Sequence, residues 1–290
     1  MWIFLNDRFV DQKEAVVSVF DHGFLYGDGV YETLRSYGGR FFMLQPHLAR
    51  LQRSARLIGL ELPIPLDEWP PLLHEALDRN ELQDAHLRIT ISRGEGELGL
   101  DPALCRRPTL VIMARPLARY PDRLFEEGVS LAIVAVRRNP VSALSPRIKS
   151  LNFLNNILAK QEAARAGAFD ALMLNAEGLL TESTTSNLFF AREGRLYTPS
   201  IDCGILDGIT REVVLTLARE AGIQTEEGRY SIEALARAEE AFLTNTSMEI
   251  MPVCSIDRQP VGSGRPGPLT RQLRDLFKAN FARFLSPSRS

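Results

Sequence analysis

Residues 115–123, RPLARYPDR, constrain the fold more than any other stretch of this chain. They carry two prolines and little hydrophobic periodicity, and strongly apolar runs flank them on both sides. Proline interrupts a sheet ladder and a helix alike, so such a stretch reads as a connection. The chain therefore divides into a smaller N-terminal domain at 1–117, a linker at 118–123 and a larger C-terminal domain at 124–286. The tail, 287–290, reads as disordered. A length of 290 residues suits two ordinary domains, and 45% hydrophobic residues supply a core for each.

In the first half, residues 1–44 read as a β meander, with strand-like runs at 2–5, 15–20 and 30–37. Gly38-Gly39 between VYETLRSY and RFFML marks a hairpin. A helix is predicted at 46–58, with Pro46 in its first turn, Leu48, Leu51, Ala55 and Ile58 on one face and Gly59 as its stop. A second helix is expected at 67–79, then strands at 86–94 and 108–114 around a glycine-containing loop. The second half opens with the apolar strand VSLAIVAV, 129–136. A helix is predicted at 151–166, with Leu151, Leu154, Ile157 and Leu158 on one face. Strands follow at 170–174, 187–191 and 195–198, then a helix at 210–221, a short helix and strand within 231–245, and a last helix at 268–285. Strands and helices mixed in this way give an α+β (mixed α/β) class.

The net charge of -2 implies no broad basic face for nucleic acid. Arg137, Arg138 and Arg147 form a local cluster that reads as solvated. Three cysteines, Cys105, Cys203 and Cys254, are too few and too odd for a disulfide framework and fit a reducing cytoplasm. No Cys or His pair has metal-site spacing. The start, MWIFLNDRFV, reads as a strand and turn rather than a signal peptide, and no run is long enough to span a membrane.

Five places can carry chemistry. Lys149, in SPRIKSLNFLNN, is read as standing immediately before a helix, whose N-terminal field favours a neutral amine. Alone, it reads as an ordinary solvated lysine. Asp207-Gly208-Ile209-Thr210 precedes a helix, where open amides and a threonine hydroxyl suit an anion or a plain capped turn. Thr246 and Glu249 have capping-box spacing, so a helical turn is expected to begin at Thr246. Glu182 is placed on a turn between apolar strands, where a carboxylate ordinarily faces solvent. Arg50 is placed beside the apolar stripe of its helix, as a surface residue or an anion ligand.

Together the segments FDHGFLYGDGVYETLR, PHLARL, ISRGEGELGLDP, RIKSLNFLNNILAKQEA, TESTTSNLFF, YTPSIDCGILDGITR and TNTSMEIMPV resemble the class IV, fold-type IV aminotransferases. They run through nearly the whole chain in the family's order. The resemblance implies a fold like that of the D-amino acid aminotransferases, with a barrel-like sheet in the larger domain and pyridoxal 5′-phosphate between the domains. It implies that Lys149 holds the cofactor as a Schiff base and shuttles the substrate's α-proton. It places Glu182 at the pyridine nitrogen, Leu206 against the ring face, and Arg50, Ile209, Thr210 and Thr246 at the phosphate. It also implies a homodimer or larger assembly, with the 1–44 meander and the 94–102 loop at the contact.

The family includes branched-chain L-amino acid transaminases, D-amino acid or R-amine transaminases and aminodeoxychorismate lyases. Arg88 matches an arginine of the branched-chain enzymes. Leu98 and Leu100 stand where D-specific members carry an arginine and a histidine for the substrate carboxylate. Thr33, in VYET, resembles the lyases instead, and Phe153 replaces a tyrosine frequent in branched-chain members. Tyr31, Thr33, Arg88, Leu98, Leu100, Phe153 and Ser247 are the expected substrate-pocket residues. The expected reaction moves an amino group between a branched-chain L-amino acid and a 2-oxo acid. The lyase ranks second, the D-amino acid or R-amine reaction third, and a non-catalytic cofactor-binding protein last.

Overall fold

The structure, a computed structural model, describes residues 1–287. It contains two compact units. The first comprises Met1–Ala118, Ile148–Asn152 and the chain from Phe284, and the second comprises Arg119–Arg147 and Phe153–Arg283. The residues of the expected disordered tail beyond 287 lie outside the described residues.

The first unit runs β1 (Trp2–Leu5), β2 (Arg8–Asp11), α1 (His22–Tyr26), β3 (Gly29–Tyr37), β4 (Arg40–Phe41), α2 (Leu44–Leu57), α3 (Trp69–Arg79), β5 (Ala85–Ser92) and β6 (Thr109–Pro116). Its sheet has the order β2-β1-β6-β5-β3-β4, antiparallel at every pairing. Gly38 and Gly39, both at positive φ, make the β3–β4 turn, as the glycine pair predicts. Leu48, Leu51 and Ala55 of α2 and Trp69, Leu73 and Leu77 of α3 pack with Leu34, Leu87 and Ile89 of the sheet into one core. Burying these side chains contributes about 1.5–3 kcal/mol for each large one.

The second unit runs α4 (Asp122–Glu127), β7 (Val129–Ile133), α5 (Leu154–Arg165), β8 (Asp170–Leu174), β9 (Leu180–Ser183), β10 (Asn187–Arg192), β11 (Arg195–Pro199), α6 (Ile209–Glu220), β12 (Thr225–Gly228), α7 (Ile232–Ala236), β13 (Glu240–Asn245), β14 (Glu249–Ile256), β15 (Gln259–Pro260) and α8 (Pro268–Asn280). Its sheet order is β12-β11-β10-β13-β14-β7-β8-β9, and β9 pairs back onto β10. That pairing closes β10, β13, β14, β7, β8 and β9 into a six-stranded barrel. The barrel-like sheet and the mixed α/β class are therefore as the resemblance implies. The closing contact is Asn187 against Glu182.

Several expectations need correction. Residues 15–20 form a loop, not a strand; Val16, Val17, Val19 and Phe20 are exposed because no neighbouring strand pairs with them. The span expected to link the domains is partly structured, since α4 begins at Asp122. The segment Ile148–Asn152 belongs with the first unit because its backbone bonds to β3: Tyr31 N donates to Lys149 O at 3.0 Å and Leu151 N to Gly29 O at 2.9 Å. A Cβ on Gly29 would lie 2.6 Å from a Leu151 methyl, so this close passage needs glycine. The helix predicted at 151–166 begins at Leu154, leaving Leu151 outside it. Its buried residues are Ala159 and Ala163, whereas Leu154, Ile157 and Leu158 are exposed. The strand from 129 ends at Ile133, and the last helix gives way to a 3-10 turn at Phe281–Phe284. Strands β2, β9, β12, β14 and β15 and helix α1 were not foreseen. Among the described residues, no helix is long and apolar enough to cross a membrane, and no cluster of His, Cys, Asp and Glu could hold a metal.

Candidate active site

In the first unit, Lys149 is tied on two sides. Its backbone N donates to Ser54 Oγ of α2 at 3.2 Å, and its carbonyl accepts from Tyr31 N of β3. Helix α5 begins five residues later, so the expected helix-terminus field is not what surrounds this amine. Tyr31 surrounds it instead. Lys149 Nζ donates to Tyr31 Oη at 3.1 Å and lies 4.3 Å from the ring centroid. Arg88 sits over the same ring, its Cζ 4.1 Å from the centroid, with Nε donating to Thr90 Oγ1. This follows from register: Thr33 pairs with Arg88 and Tyr31 with Thr90, so all four side chains share one face of the β3–β5 ladder. Burial pushes the Arg88 guanidinium below its ordinary value, with Tyr31 opposing.

Behind Lys149 is a buried charge cluster. Arg50 of α2 donates through Nε to Glu32 Oε1 at 2.7 Å and through Nη2 to Glu32 Oε2 at 3.0 Å. His47 Nδ1 donates to Glu32 Oε2 at 2.8 Å. Glu32 and His47 are fully buried and Arg50 is 5% exposed. Burial alone would raise the Glu32 carboxyl, but Arg50 and His47 reverse this and hold it below the usual carboxylate range. Burial pushes the His47 imidazole down, aided by the charges of Arg50 and Lys149 and opposed by Glu32. The neutral ring keeps its proton on Nδ1 for Glu32, and its buried Nε2 has no partner among the described residues. Arg50 thus stands in an ion pair, not at the surface. Sequence reasoning missed Glu32 and His47. The only signal for Glu32 was a carboxylate in a run, VYET, whose apolar neighbours are buried on both faces.

In the second unit, Glu182 lies within strand β9, not on a turn, and is 4% exposed. Arg138 donates to its Oε1 through Nε at 3.0 Å and Nη2 at 2.9 Å. Asn187 Nδ2 donates to Oε2 at 3.1 Å, and Leu206 N donates to both oxygens at 3.2 and 3.1 Å. Arg138 was read as solvated; it is buried, while Arg137 and Arg147 are exposed. Asn187 Nδ2 also donates to Leu206 O at 2.9 Å, which fixes Leu206 beside the carboxylate.

Two residues on from Leu206, Gly208 occupies the N-cap of α6 with no side-chain cap. A Cβ there would lie 1.9 Å from Asn187 Oδ1. Ile209 and Thr210 open the helix, and the buried Thr210 hydroxyl has no hydrogen-bond partner among the described residues. An uncapped N-terminus with an orphaned hydroxyl fits a phosphate, which takes donors at a helix start. Together with the buried acceptor carboxylate of Glu182 in the same unit, these residues fit the phosphate and the ring nitrogen of pyridoxal phosphate.

Thr246 and Ser247 lie in the turn of the β13–β14 hairpin. No helical turn starts there, because Glu249 already pairs with Asn245 and has φ 60°. Asn245 Oδ1 accepts from Ser247 N and Met248 N and holds the turn. Phe153 lines a cavity of about 280 Å³ within the second unit, with Tyr120, Ile157, Phe169, Thr185 and Met248 on its walls. Tyr120 was read as linker, so its place there was not foreseen. Leu98 and Leu100, on the loop after β5, are exposed.

A family model described as amino-transferase class IV matches residues 29–256. The chain is 44% identical to a Methanocaldococcus jannaschii protein called "Putative branched-chain-amino-acid aminotransferase", over 96% of each chain. It is 37% identical to the D-alanine aminotransferase of Bacillus licheniformis, over 94% of this chain and 95% of that one. It is 36% identical to the aminodeoxychorismate lyase of Bacillus subtilis, over 95% and 93%. Among solved structures, the branched-chain amino acid aminotransferase of Thermoproteus uzoniensis with norvaline superposes with a TM-score of 0.92 at 34% identity, over 99% of each chain. The Escherichia coli branched-chain amino acid aminotransferase gives 0.93 at 30% identity, over 98% of this chain and 94% of that one.

Proposed function

Because the chain belongs to the class IV aminotransferase family, and so is an aminotransferase that uses pyridoxal 5′-phosphate, we propose that it moves an amino group between a branched-chain L-amino acid (Leu, Ile or Val) and a 2-oxo acid. The observation that carries the substrate class is the cavity beside Phe153, walled by Phe153, Ile157, Phe169 and Met248. These walls suit a branched aliphatic side chain. Lys160 also lines the cavity, but its amine is engaged by Phe169 O and Asp170. Leu98 and Leu100 carry no charge for the D-specific carboxylate arrangement, which supports the L reading.

When bound, the cofactor supplies an electron sink for the charge left on the substrate α-carbon. Lys149 Nζ would hold it covalently and would move the α-proton. Tyr31 Oη orients that amine from 3.1 Å. In the first unit Arg50, held by Glu32, would serve as a phosphate ligand; in the second, the Ile209 amide and the Thr210 and Thr246 hydroxyls would. Glu182 would accept from the ring nitrogen, and Leu206 would cover a ring face. In the first unit Arg88, on the same sheet face as Thr33, would offer a cation for an acidic group of the substrate; in the second, Phe153 and Ser247 are the proposed pocket residues.

A homodimer would cover the exposed Phe20, Phe24, Leu98, Leu100, Leu154 and Ile157, and light scattering in solution tests it. The three free cysteines fit a cytoplasmic place of work.

A second reading, aminodeoxychorismate lyase, is favoured by Thr33 and by the Bacillus subtilis relative. Purified enzyme is mixed with L-leucine, D-alanine, an R-amine or aminodeoxychorismate, and the cofactor's visible band is followed. L-leucine is expected to convert the band. Conversion by D-alanine but not L-leucine would reject the proposal. Pyruvate release from aminodeoxychorismate with no response to any amine would establish the second reading.

A further inference from the structure

Arg138 comes from a basic cluster that charge patterning alone assigns to solvent, yet it is buried. Its side chain is fixed along its whole length. Nε and Nη2 meet Glu182 Oε1 at 3.0 and 2.9 Å. Nη1 donates to Asn155 Oδ1 at 3.2 Å and Asn156 Oδ1 at 3.4 Å. The two amides are themselves anchored, Asn155 Nδ2 to Arg137 O at 2.7 Å and Asn156 Nδ2 to Thr184 O at 2.6 Å. The Arg138 backbone N donates to Leu174 O, at the end of β8, at 2.8 Å. An arginine clamped this way on a barrel strand and a helix start does not swing toward a ligand.

Its effect falls on Glu182. The Arg138, Asn187 and Leu206 contacts to that carboxylate all come from N–H donors. A proton added to either oxygen would face one of them. The cluster therefore favours the carboxylate as an anion that only accepts hydrogen bonds. Of these partners only Arg138 brings charge; the amides alone would leave a buried anion uncompensated, a state that neutralises itself by taking a proton.

We propose that Arg138 is a positioning residue of the cofactor site: it holds Glu182 as an oriented, acceptor-only anion, so that a pyridine nitrogen meeting Glu182 must carry the proton. This rests on the reading that the chain binds pyridoxal phosphate with its ring nitrogen at Glu182. It adds a residue whose loss alters the ring nitrogen's protonation without touching the cofactor. Arg138→Met turns the charge-assisted hydrogen bond at the ring nitrogen into a neutral one, about half as strong.

The test measures binding rather than turnover. Full-length apoprotein is titrated with pyridoxal phosphate and with its 1-deaza analogue, in which C–H replaces the ring nitrogen. The ratio of the two dissociation constants isolates the ring-nitrogen contact from the phosphate and lysine contacts. Wild type is expected to favour pyridoxal phosphate by about tenfold or more, the worth of one charge-assisted bond. Arg138→Met is expected to bring the ratio to within about threefold, Glu182→Gln to do the same, and the double variant to go no further than either. Arg138→Lys keeps the charge but not the fork, and should retain part of the preference.

If Arg138→Met weakens both ligands equally and leaves the ratio intact, Arg138 is merely structural and the proposal is overturned. Should that variant not fold, Asn155→Ala removes one support of the guanidinium; a lowered ratio supports the proposal and an unchanged one contradicts it. Wild type that binds both ligands without preference defeats this proposal and the placing of the ring nitrogen at Glu182, and leaves cofactor binding itself standing. Wild type that binds neither defeats the cofactor reading beneath it as well.

Discussion

Each of the two units contains a buried glutamate–arginine pair, and the two pairs are built in opposite senses. In the first, Glu32 accepts from Arg50 and His47, and the proposed ligand of the cofactor is the arginine. In the second, Glu182 accepts from Arg138, Asn187 and Leu206, and the proposed ligand is the carboxylate. The same ion pair can thus present a cation to a phosphate or an anion to a ring nitrogen. What decides is the company. Around Glu32 the side-chain partners are all charged or ionisable, with Thr33 N adding one backbone amide at 3.2 Å, so the pair stands or falls mainly as a cluster. Around Glu182 two of the three named donors are uncharged amides, which still bind if the carboxylate is replaced by an amide.

That difference sets the largest expected effect. Glu32→Gln leaves Arg50 buried without its counter-charge and should cost about 3–5 kcal/mol of stability. Glu182→Gln likewise removes the counter-charge of buried Arg138, but Asn155 and Asn156 still hold that guanidinium and Asn187 and Leu206 keep an acceptor oxygen, so it should cost less, about 1–3 kcal/mol. Urea unfolding of the two apoproteins compares them directly. Equal losses, or a larger loss for Glu182→Gln, would erase the contrast.

Acidification sharpens the comparison next. The folded His47 is pushed below its ordinary value of 6.5, so the unfolded chain takes up its proton first as pH falls. Stability from this group is complete above about pH 6.5 and is lost as pH drops toward the lower folded value, with a slope of at most about 1.4 kcal/mol per pH unit. His86 is pushed the same way by burial and adds to the slope. His47→Asn should flatten part of the decline below pH 6.5, as read by stability measured across pH. A decline unchanged in that variant would mean that His47 does not sense acid.

The smallest expected effect tests the phosphate end of the second unit. The Thr210 hydroxyl is buried with no partner among the described residues. Thr210→Val should leave apoprotein stability unchanged or slightly raised, yet weaken pyridoxal phosphate by about three- to tenfold. Loss of apoprotein stability without any loss of affinity would make this hydroxyl a structural group.

These pairs also explain what was legible beforehand. Lys149, Glu182 and the glycine ahead of α6 were legible as a linear pattern, because their spacing along the chain repeats a family order. The closed sheet was legible only through that resemblance, since β9 and β14 give too weak an alternation to be seen. Burial was not legible. Arg138 and Arg137 are neighbours of identical type, yet only Arg138 meets a carboxylate, and that carboxylate comes from a strand 44 positions away. Glu32 alternates in phase with the core residues Val30 and Leu34, where a carboxylate is unexpected unless partners such as Arg50 and His47 come from elsewhere in the chain. Leu154, Ile157 and Leu158 have the period of a buried face and stay exposed, because periodicity says which residues align and nothing of what covers them. The local pattern misplaces Lys149: its surroundings are Tyr31 and β3, not the start of a helix.

The most direct measurement for the account is borohydride reduction of the protein with bound pyridoxal phosphate, followed by peptide mass mapping. The account predicts the added pyridoxyl mass on Lys149 alone, and none in Lys149→Ala, which should also lose at least about 10³-fold in transamination rate. A label on Lys160 or any other lysine, or full activity in Lys149→Ala, would contradict it.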